Sequence, residues 1–249
     1  MPSTTIAPAA GRLGVLTPGL GAVASTFVAG VLSARAGHTV PVGSLSQLAH
    51  IRLGERSEDR NPLIRDFVPL AALDDLVFGG WDPISANALE AARTAGVLEE
   101  RDLAPISGEL EGVVAMDAVF DQRWVSKLTG TRVKTAPTKF ELAEARSPTS
   151  NGSAPITTVT VCRWCGAGRP RLTRIISEVH ASVAAFEEGL RAQRREHRPS
   201  QIYAYAALVS WACCSPTAPQ PLRRHARCRA GAERRCRSPA RTSRPVRRS

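Results

Sequence analysis

The sequence predicts an α/β fold built on a doubly wound parallel sheet that is incomplete and is followed by a largely disordered Arg-rich C-terminal part. Three observations carry that reading. A short apolar strand near the N-terminus runs into a glycine turn and an amphipathic helix, strand and helix candidates then alternate as far as Met116, and the composition changes abruptly after Ala145. Over 249 residues the chain is 43% hydrophobic and 22% charged, which excludes a wholly disordered or collagen-like protein.

The first element, Leu13-Gly14-Val15-Leu16, reads as a short buried strand. Thr17-Pro18-Gly19-Leu20-Gly21-Ala22-Val23-Ala24 follows it and fits the G-x-G-x-x-A form of a dinucleotide turn. Gly19 permits the tight turn, Gly21 lets backbone approach a pyrophosphate, and Ala24 allows helix to pack closely on strand. Val23, Phe27 and Val31 recur at a spacing of four with Ala24, Val28 and Leu32 beside them, predicting an amphipathic helix that Gly37 stops. Its N-terminal amides and dipole face the turn, where an anionic phosphate is the natural occupant. Thr17, Gly19, Leu20, Gly21 and Ala22 are therefore cofactor-binding candidates.

Leu13 to Ala34 is a run of 22 residues without a charge, long enough for a membrane span, but Pro18, Gly19 and Gly21 interrupt it at the centre. Residues 1–10 read as a flexible N-terminus, and Met1 to Gly11 hold no basic side chain to begin a secretory signal. The expectation is a cytoplasmic protein without a membrane segment.

A second strand is predicted at Thr39-Val40-Pro41-Val42, and Asp75-Leu76-Val77-Phe78-Gly79-Gly80 supplies a third ending in glycines. No acid closes the second strand to meet a ribose hydroxyl; the first acid downstream is Glu55. Asp82-Pro83 predicts a helix start, with Asp82 as cap and Pro83 at the first helical position, Ile84, Ala88, Leu89 and Ala92 on one face, and Gly96 at the end. Asp82 also lies just beyond a strand's carboxyl end, where open α/β sheets bind ligands, so both capping and cofactor contact stand open for it. A fourth strand, Gly112-Val113-Val114-Ala115-Met116, leads to Asp117, Asp121, Arg123 and Trp124 and then to a Lys127–Lys139 segment.

These residues resemble the bacterial form of the NAD-dependent myo-inositol-phosphate synthases. The resemblance rests on Gly14 to Ala24, on Val77-Phe78-Gly79-Gly80-Trp81-Asp82 with Asn87 behind it, and on Val133-Lys134-Thr135 to Glu141. It covers nearly all of residues 11–145, and Phe-Gly-Gly-Trp-Asp is its most specific part. The resemblance implies a Rossmann-like NAD-binding domain over 11–145, joined in the family to an α/β domain that builds the active site and a homotetramer interface. The implied substrate is D-glucose 6-phosphate, converted to myo-inositol phosphate by oxidation, enolisation, aldol ring closure and reduction. The family stabilises enolate and phosphate with clustered lysines in a Lys-Asp-Phe-Lys-type segment. This chain has no such segment, so no catalytic residue is assigned and the chain alone is expected to be inactive.

Up to Ala145 the chain carries 13 basic and 17 acidic side chains; beyond it there are 20 and 5, and all 20 are Arg. All six cysteines, Cys162, Cys165, Cys213, Cys214, Cys228 and Cys236, fall in the later part, and no Asp follows Asp121. Two islands there still resemble the family, Val179 to Ala192 and Pro199 to Leu208, so residues 179–208 read as helical remnants of its domain. Residues 146–178, about 193–198 and 209–249 read as translated out of frame from G+C-rich DNA, which enriches Arg, Pro, Ala, Ser and Cys. The first stretch is expected to be irregular, and 209–249, with 11 Arg and one Glu, to be a disordered basic tail. Cys162-Arg163-Trp164-Cys165 has zinc-knuckle spacing, but no second close pair completes it, and no metal site is assigned. The alternative to a damaged synthase is an α/β nucleotide-binding module whose Arg-rich tail binds nucleic acid or another anionic partner without sequence preference.

Overall fold

The computed structural model describes residues 11–68, 70–124, 129–144, 161–164, 177–209 and 213–214. Strand β1 (Leu13–Pro18) lies between β2 (Leu76–Trp81) and β4 (Val161–Trp164), with β3 (Ala115–Met116) outside β2 and β5 (Cys213–Cys214) outside β4. All these pairings are parallel, and the register runs Leu13↔Leu76 to Pro18↔Trp81 on one side and Leu13↔Val161 to Leu16↔Trp164 on the other. The order β3-β2-β1-β4-β5 reverses direction at β1, so its carboxyl end sits at the topological switch point of a Rossmann-like sheet.

Helices cover both faces, which makes the sheet doubly wound. Alternation along β1 divides its side chains: Val15 joins Phe78 on one face and Leu16 joins Trp81 on the other. The first face is packed by α1 (Ala22–Arg35), α4 (Ala88–Ala95) and α6 (Ser107–Gly112), with Val28, Leu32, Leu89, Leu103, Ile106 and Leu110 buried together. The short helices α2 (Leu45–Leu48) and α3 (Ile64–Phe67) form an outlying hairpin, and α5 (Glu100–Leu103) leads into α6. The second face is packed by α7 (Lys139–Glu144), α8 (Val183–Arg191) and α9 (Pro199–Val209), where Trp81, Met116, Phe186, Leu190, Ile202, Tyr203 and Tyr205 meet.

Several sequence-based expectations need correction. Thr39–Val42 is not a strand: Val40 and Val42 are 58% and 85% exposed, and bonds from Val42 N–H to Val40 O and from Ser44 N–H to Pro41 O turn the chain. Pro41 has no amide to give a ladder, and β2 takes the place beside β1. The buried stripe of α1 is Ala24, Ser25, Val28, Ala29 and Leu32, so the Val23–Phe27–Val31 face is rotated toward solvent. Phe27 is 43% exposed and makes an edge-to-face contact with Phe78 at 5.8 Å. Helix α1 ends as expected near Gly37, which adopts φ +74°. The fourth strand shortens to Ala115–Met116, because Ala88 N–H and the Asn87 bridge to Val114 draw Val113 and Val114 to the loop before α4. Strands β4 and β5 fall within the stretches read as irregular and as a disordered tail; the remainder of 146–178 except Ser177 and Glu178, and all of 215–249, lie outside the described residues.

Candidate functional site: the glycine turn at the switch point

The turn between β1 and α1 is made almost entirely of backbone. Gly19 takes φ +102°, a conformation that L side chains rarely adopt, and its N–H donates to the Trp81 carbonyl at 2.7 Å. That bond ties the turn to the end of β2. Gly21 caps α1, no side chain of the described residues caps the helix, and the first turn contains no acid. The first intrahelical bond runs from Ser25 N–H to Gly21 O at 3.0 Å, so the amides of Ala22 and Val23 precede the helical ladder and point their dipoles outward. A Cβ built on Gly19 or Gly21 would meet no atom of the described residues within 4 Å. Among the described residues, the space above the turn is therefore open to a ligand.

Gly80 shows the opposite. A Cβ there would come within 2.8 Å of the Thr17 carbonyl and the Leu20 side chain and within 2.7 Å of Thr17 Oγ1, so close approach of β2 to the turn requires glycine at this position. The sequence marks Gly80 as the end of a strand and as part of the Phe-Gly-Gly-Trp-Asp stretch, without this steric requirement.

The candidates divide accordingly. Gly19, Gly21 and Ala22 present backbone at the mouth of the turn. Thr17 is 2% exposed, and its hydroxyl donates to the Gly79 carbonyl at 3.4 Å, so its side chain closes the turn from beneath. Leu20 is fully buried among Ala24, Ala91 and Ala115 and anchors the turn in the core. Asp82 does not start a helix. Its Oδ1 accepts from Ile84 N–H at 2.9 Å and Ser85 N–H at 2.8 Å, forming a local turn, while Asn87 caps α4 by accepting from Glu90 N–H at 2.9 Å. Its Oδ2 accepts from Leu20 N–H at 3.0 Å, across 62 residues of sequence.

Arg132 is the site-flanking residue that the sequence did not reveal. It donates to the Ala115 carbonyl at 2.9 Å and the Ser85 carbonyl at 3.3 Å, and it lies 3.5 Å from Asp117, bracing the carboxyl ends of β2 and β3. Its only signal was its place just before Val133-Lys134-Thr135. Of the other polar residues noted beyond β3, Asp121 and Arg123 bond each other, which holds the Asp121 carboxyl below its ordinary range. The Lys139 ammonium donates to the Arg194 carbonyl at 2.6 Å and the His197 carbonyl at 3.4 Å, and burial pushes its pKa down. That lysine fastens α7 to the loop before α9. Among the described residues no three His, Cys, Asp or Glu side chains group to hold a metal, and no helix is long and apolar enough to cross a membrane.

A mouth of glycine backbone at a helix N-terminus suits the pyrophosphate of a dinucleotide. A family model of an NAD-binding domain, described as myo-inositol-1-phosphate synthase, matches residues 13–235. Inositol-3-phosphate synthase 1 of Bacteroides thetaiotaomicron is 42% identical over 208 residues, 82% of this chain and 47% of that protein. Inositol-3-phosphate synthase isozyme 1 of Arabidopsis thaliana is 26% identical over 217 residues, 80% of this chain and 42% of that protein. The crystal structure of inositol-3-phosphate synthase from Caenorhabditis elegans superposes with a TM-score of 0.71 at 20% identity, covering 82% of this chain and 43% of that one. The chain thus spans less than half the length of these relatives.

Proposed function

We propose a function from one premise, that the chain belongs to the myo-inositol-1-phosphate synthase family. NAD is the cofactor the family domain indicates, and the residues of the glycine turn fit it. The whole activity we read is NAD-dependent conversion of D-glucose 6-phosphate to myo-inositol phosphate, carried out in the cytoplasm by a homotetramer. When bound, NAD would supply hydride acceptance and return. This chain's own part is to bind and orient. The amides of Gly21, Ala22 and Val23 hold the pyrophosphate at the positive end of α1, and Gly19 sets the turn that aims them. The observation that carries the reading is the space above Gly19 and Gly21 at the switch point, which is open among the described residues, none of whose side chains caps α1.

Turnover needs cations facing an enolate and a phosphate, and the chain's last lysine is Lys139, already committed to two backbone carbonyls. We therefore expect NAD binding without catalysis. Millimolar NAD raises the melting midpoint of the purified 249-residue chain by selective binding to the folded state. An unchanged midpoint overturns the binding claim. Incubation with glucose 6-phosphate and NAD yields no inositol phosphate; detectable product overturns the claim of inactivity.

The 11 Arg and one Glu of residues 209–249 support a second reading, non-specific binding of RNA by a basic segment. RNA retention that falls steeply between low and high salt supports it, and retention insensitive to salt removes it. Resequencing the encoding DNA beyond the Ala145 codon separates the readings: another frame that restores a Lys-Asp-Phe-Lys-like segment identifies a damaged synthase copy.

A further inference from the structure

We propose that the excursion between α1 and β2 is a self-association surface, through which two copies of this chain pair about a two-fold axis. Between Leu32 and Val77 no described residue is buried. Six large apolar side chains are nevertheless exposed there, Val40, Val42, Leu45, Leu48, Phe67 and Leu70, with Val42 at 85%, Leu45 at 75% and Phe67 at 52%. Across the described residues eleven such side chains are exposed, so more than half of them gather in this one stretch. Soluble monomers scatter exposed apolar residues singly, and a gathered patch marks a contact face.

The segment is built rather than slack. Ile51 N–H bonds to Pro62 O, Leu53 N–H to Arg60 O and Ile64 N–H to Ala49 O, each at 2.9 Å, which makes a two-stranded ribbon with α2 and α3 packed together at its open end. Arg35, the last residue of α1, ties the ends of the excursion through the carbonyls of Leu73, at 2.6 Å, and Leu76. An isolated two-stranded ribbon is marginal in water, so the order of this one calls for a cover.

Charge and size select the cover. Residues 52–66 carry four Arg and four acids, interspersed. That balance offers no net field to nucleic acid, an acidic lipid surface or any other polyion. It suits a second copy, because an isologous contact brings the patch against itself reversed and sets the arginines of one copy against the acids of the other. The stretch from 40 to 70 also matches the roughly 20–30 residues that each side of a standard interface supplies, with an apolar centre and a charged rim. This surface is separate from the tetramer contact, which the resemblance assigns to the domain that follows.

Sedimentation velocity of the full 249-residue chain at micromolar concentration, in salt high enough to screen the Arg-rich tail, is expected to show a dimer. Leu45→Glu with Phe67→Glu sets like charges across the two-fold axis and is expected to weaken that dimer about a hundredfold or more. Val97→Glu with Val114→Glu adds the same charge at apolar side chains exposed elsewhere and should leave it unchanged. If the Leu45→Glu, Phe67→Glu chain does not fold, hydrogen exchange of the unmutated chain across the dilution range of the dimer gives the same test. The amides of Ile51, Leu53 and Ile64 should then lose protection as the dimer dissociates. A chain that is monomeric at every concentration overturns the proposal, and one that stays monomeric with those amides protected identifies another segment of the chain as the cover. A dimer that survives the double substitution, equal weakening by the control pair, or protection independent of dilution overturns it as well.

Discussion

The two faces of the sheet are built from different chemistry. The face under α1, α4 and α6 is aliphatic: Val15, Val28, Leu32, Leu89, Ile106 and Leu110 fill it, with Phe78 its buried aromatic. The face under α7, α8 and α9 is aromatic and polar, with Trp81 against Tyr203 at 5.2 Å, Phe186 against Tyr205 at 5.6 Å, and His180, His197 and Gln201 buried behind them. The first face is packed by apolar contact among segments that all lie between Val15 and Val113. The second joins segments far apart through bonds that must be satisfied, such as Val119 N–H to Tyr203 Oη at 2.9 Å and Gln201 to His180 at 2.9 Å. An aliphatic face responds to volume alone, and a polar one responds to volume and to pH.

The largest expected effects come from emptying each face. Phe186→Ala removes a ring that touches both Tyr205 and His197 and is expected to cost about 3–5 kcal/mol; Leu110→Ala on the other face costs about 2–5 kcal/mol. Urea unfolding measures both. The comparison is sharpened by repeating the titrations across pH. Leu110→Ala should shift stability equally at every pH, whereas Phe186→Ala admits water to the histidines and flattens the pH dependence. Equal pH profiles for the two variants would break the contrast between the faces.

His197 carries the next effect. It is fully buried, its ring lies 4.5 Å from Phe186, and among the described residues neither ring nitrogen meets a hydrogen-bond partner. Gly189 makes room for it, since a Cβ there would fall 2.4 Å from the imidazole. Burial lowers its pKa to about 4; the Arg194 backbone and Glu196 oppose that shift, while Lys139 and His180 reinforce it. The fold therefore holds the neutral ring, and the unfolded chain takes up a proton near the ordinary value of about 6.5. Stability is fully present above that value and is lost as pH falls toward 4. His197→Leu is expected to remove up to ~1.4 kcal/mol per pH unit from that slope. A slope unchanged by the substitution shows that protonation elsewhere governs acid unfolding.

Legibility in the sequence follows the same division. The β1–turn–α1 unit could be read because its glycines, apolar run and stop are all local, and Gly96 and Gly37 mark real helix ends. The rotation of α1 by one position could not, because Val23 and Phe27 are as apolar as Val28 and Leu32, and only the sheet decides which stripe is covered. Asp82-Pro83 had the form of a helix start, yet Asp82 is drawn to an amide 62 residues away and the cap falls to Asn87. Among the site residues, the backbone positions Gly19 and Gly21 were visible as a spacing, while Arg132 and the steric need for Gly80 arise only where distant segments meet. Of the buried histidines of the second face, His180 lies in a stretch that resembles the family and His197 in none. His180 and His197 stand 17 residues apart in sequence, and their rings come within 6.1 Å only when α8 folds back between them.

The smallest expected effects test whether the contrast stops at the core. Asn87 caps α4 on the aliphatic side by accepting from Glu90 N–H, and Ser182 caps α8 on the polar side by accepting from Ala185 N–H at 3.0 Å. Both bonds are solvent-exposed and local, so Asn87→Ala and Ser182→Ala should each cost about 1 kcal/mol regardless of what the helix buries. Asn87 has one addition, a bond from Ala86 N–H to Glu90 Oε2 at 2.6 Å that closes the same turn from the other direction and survives its loss. The α4 variant should therefore lose slightly less stability than the α8 variant in thermal or urea unfolding. A Ser182→Ala cost several times larger would mean that the first turn of α8 is coupled to the buried polar packet, since only Ala181 separates Ser182 from the Glu178–His180 turn that carries His180. The polar face would then reach the surface through that turn, and its pH dependence should appear in the Ser182 variant as well.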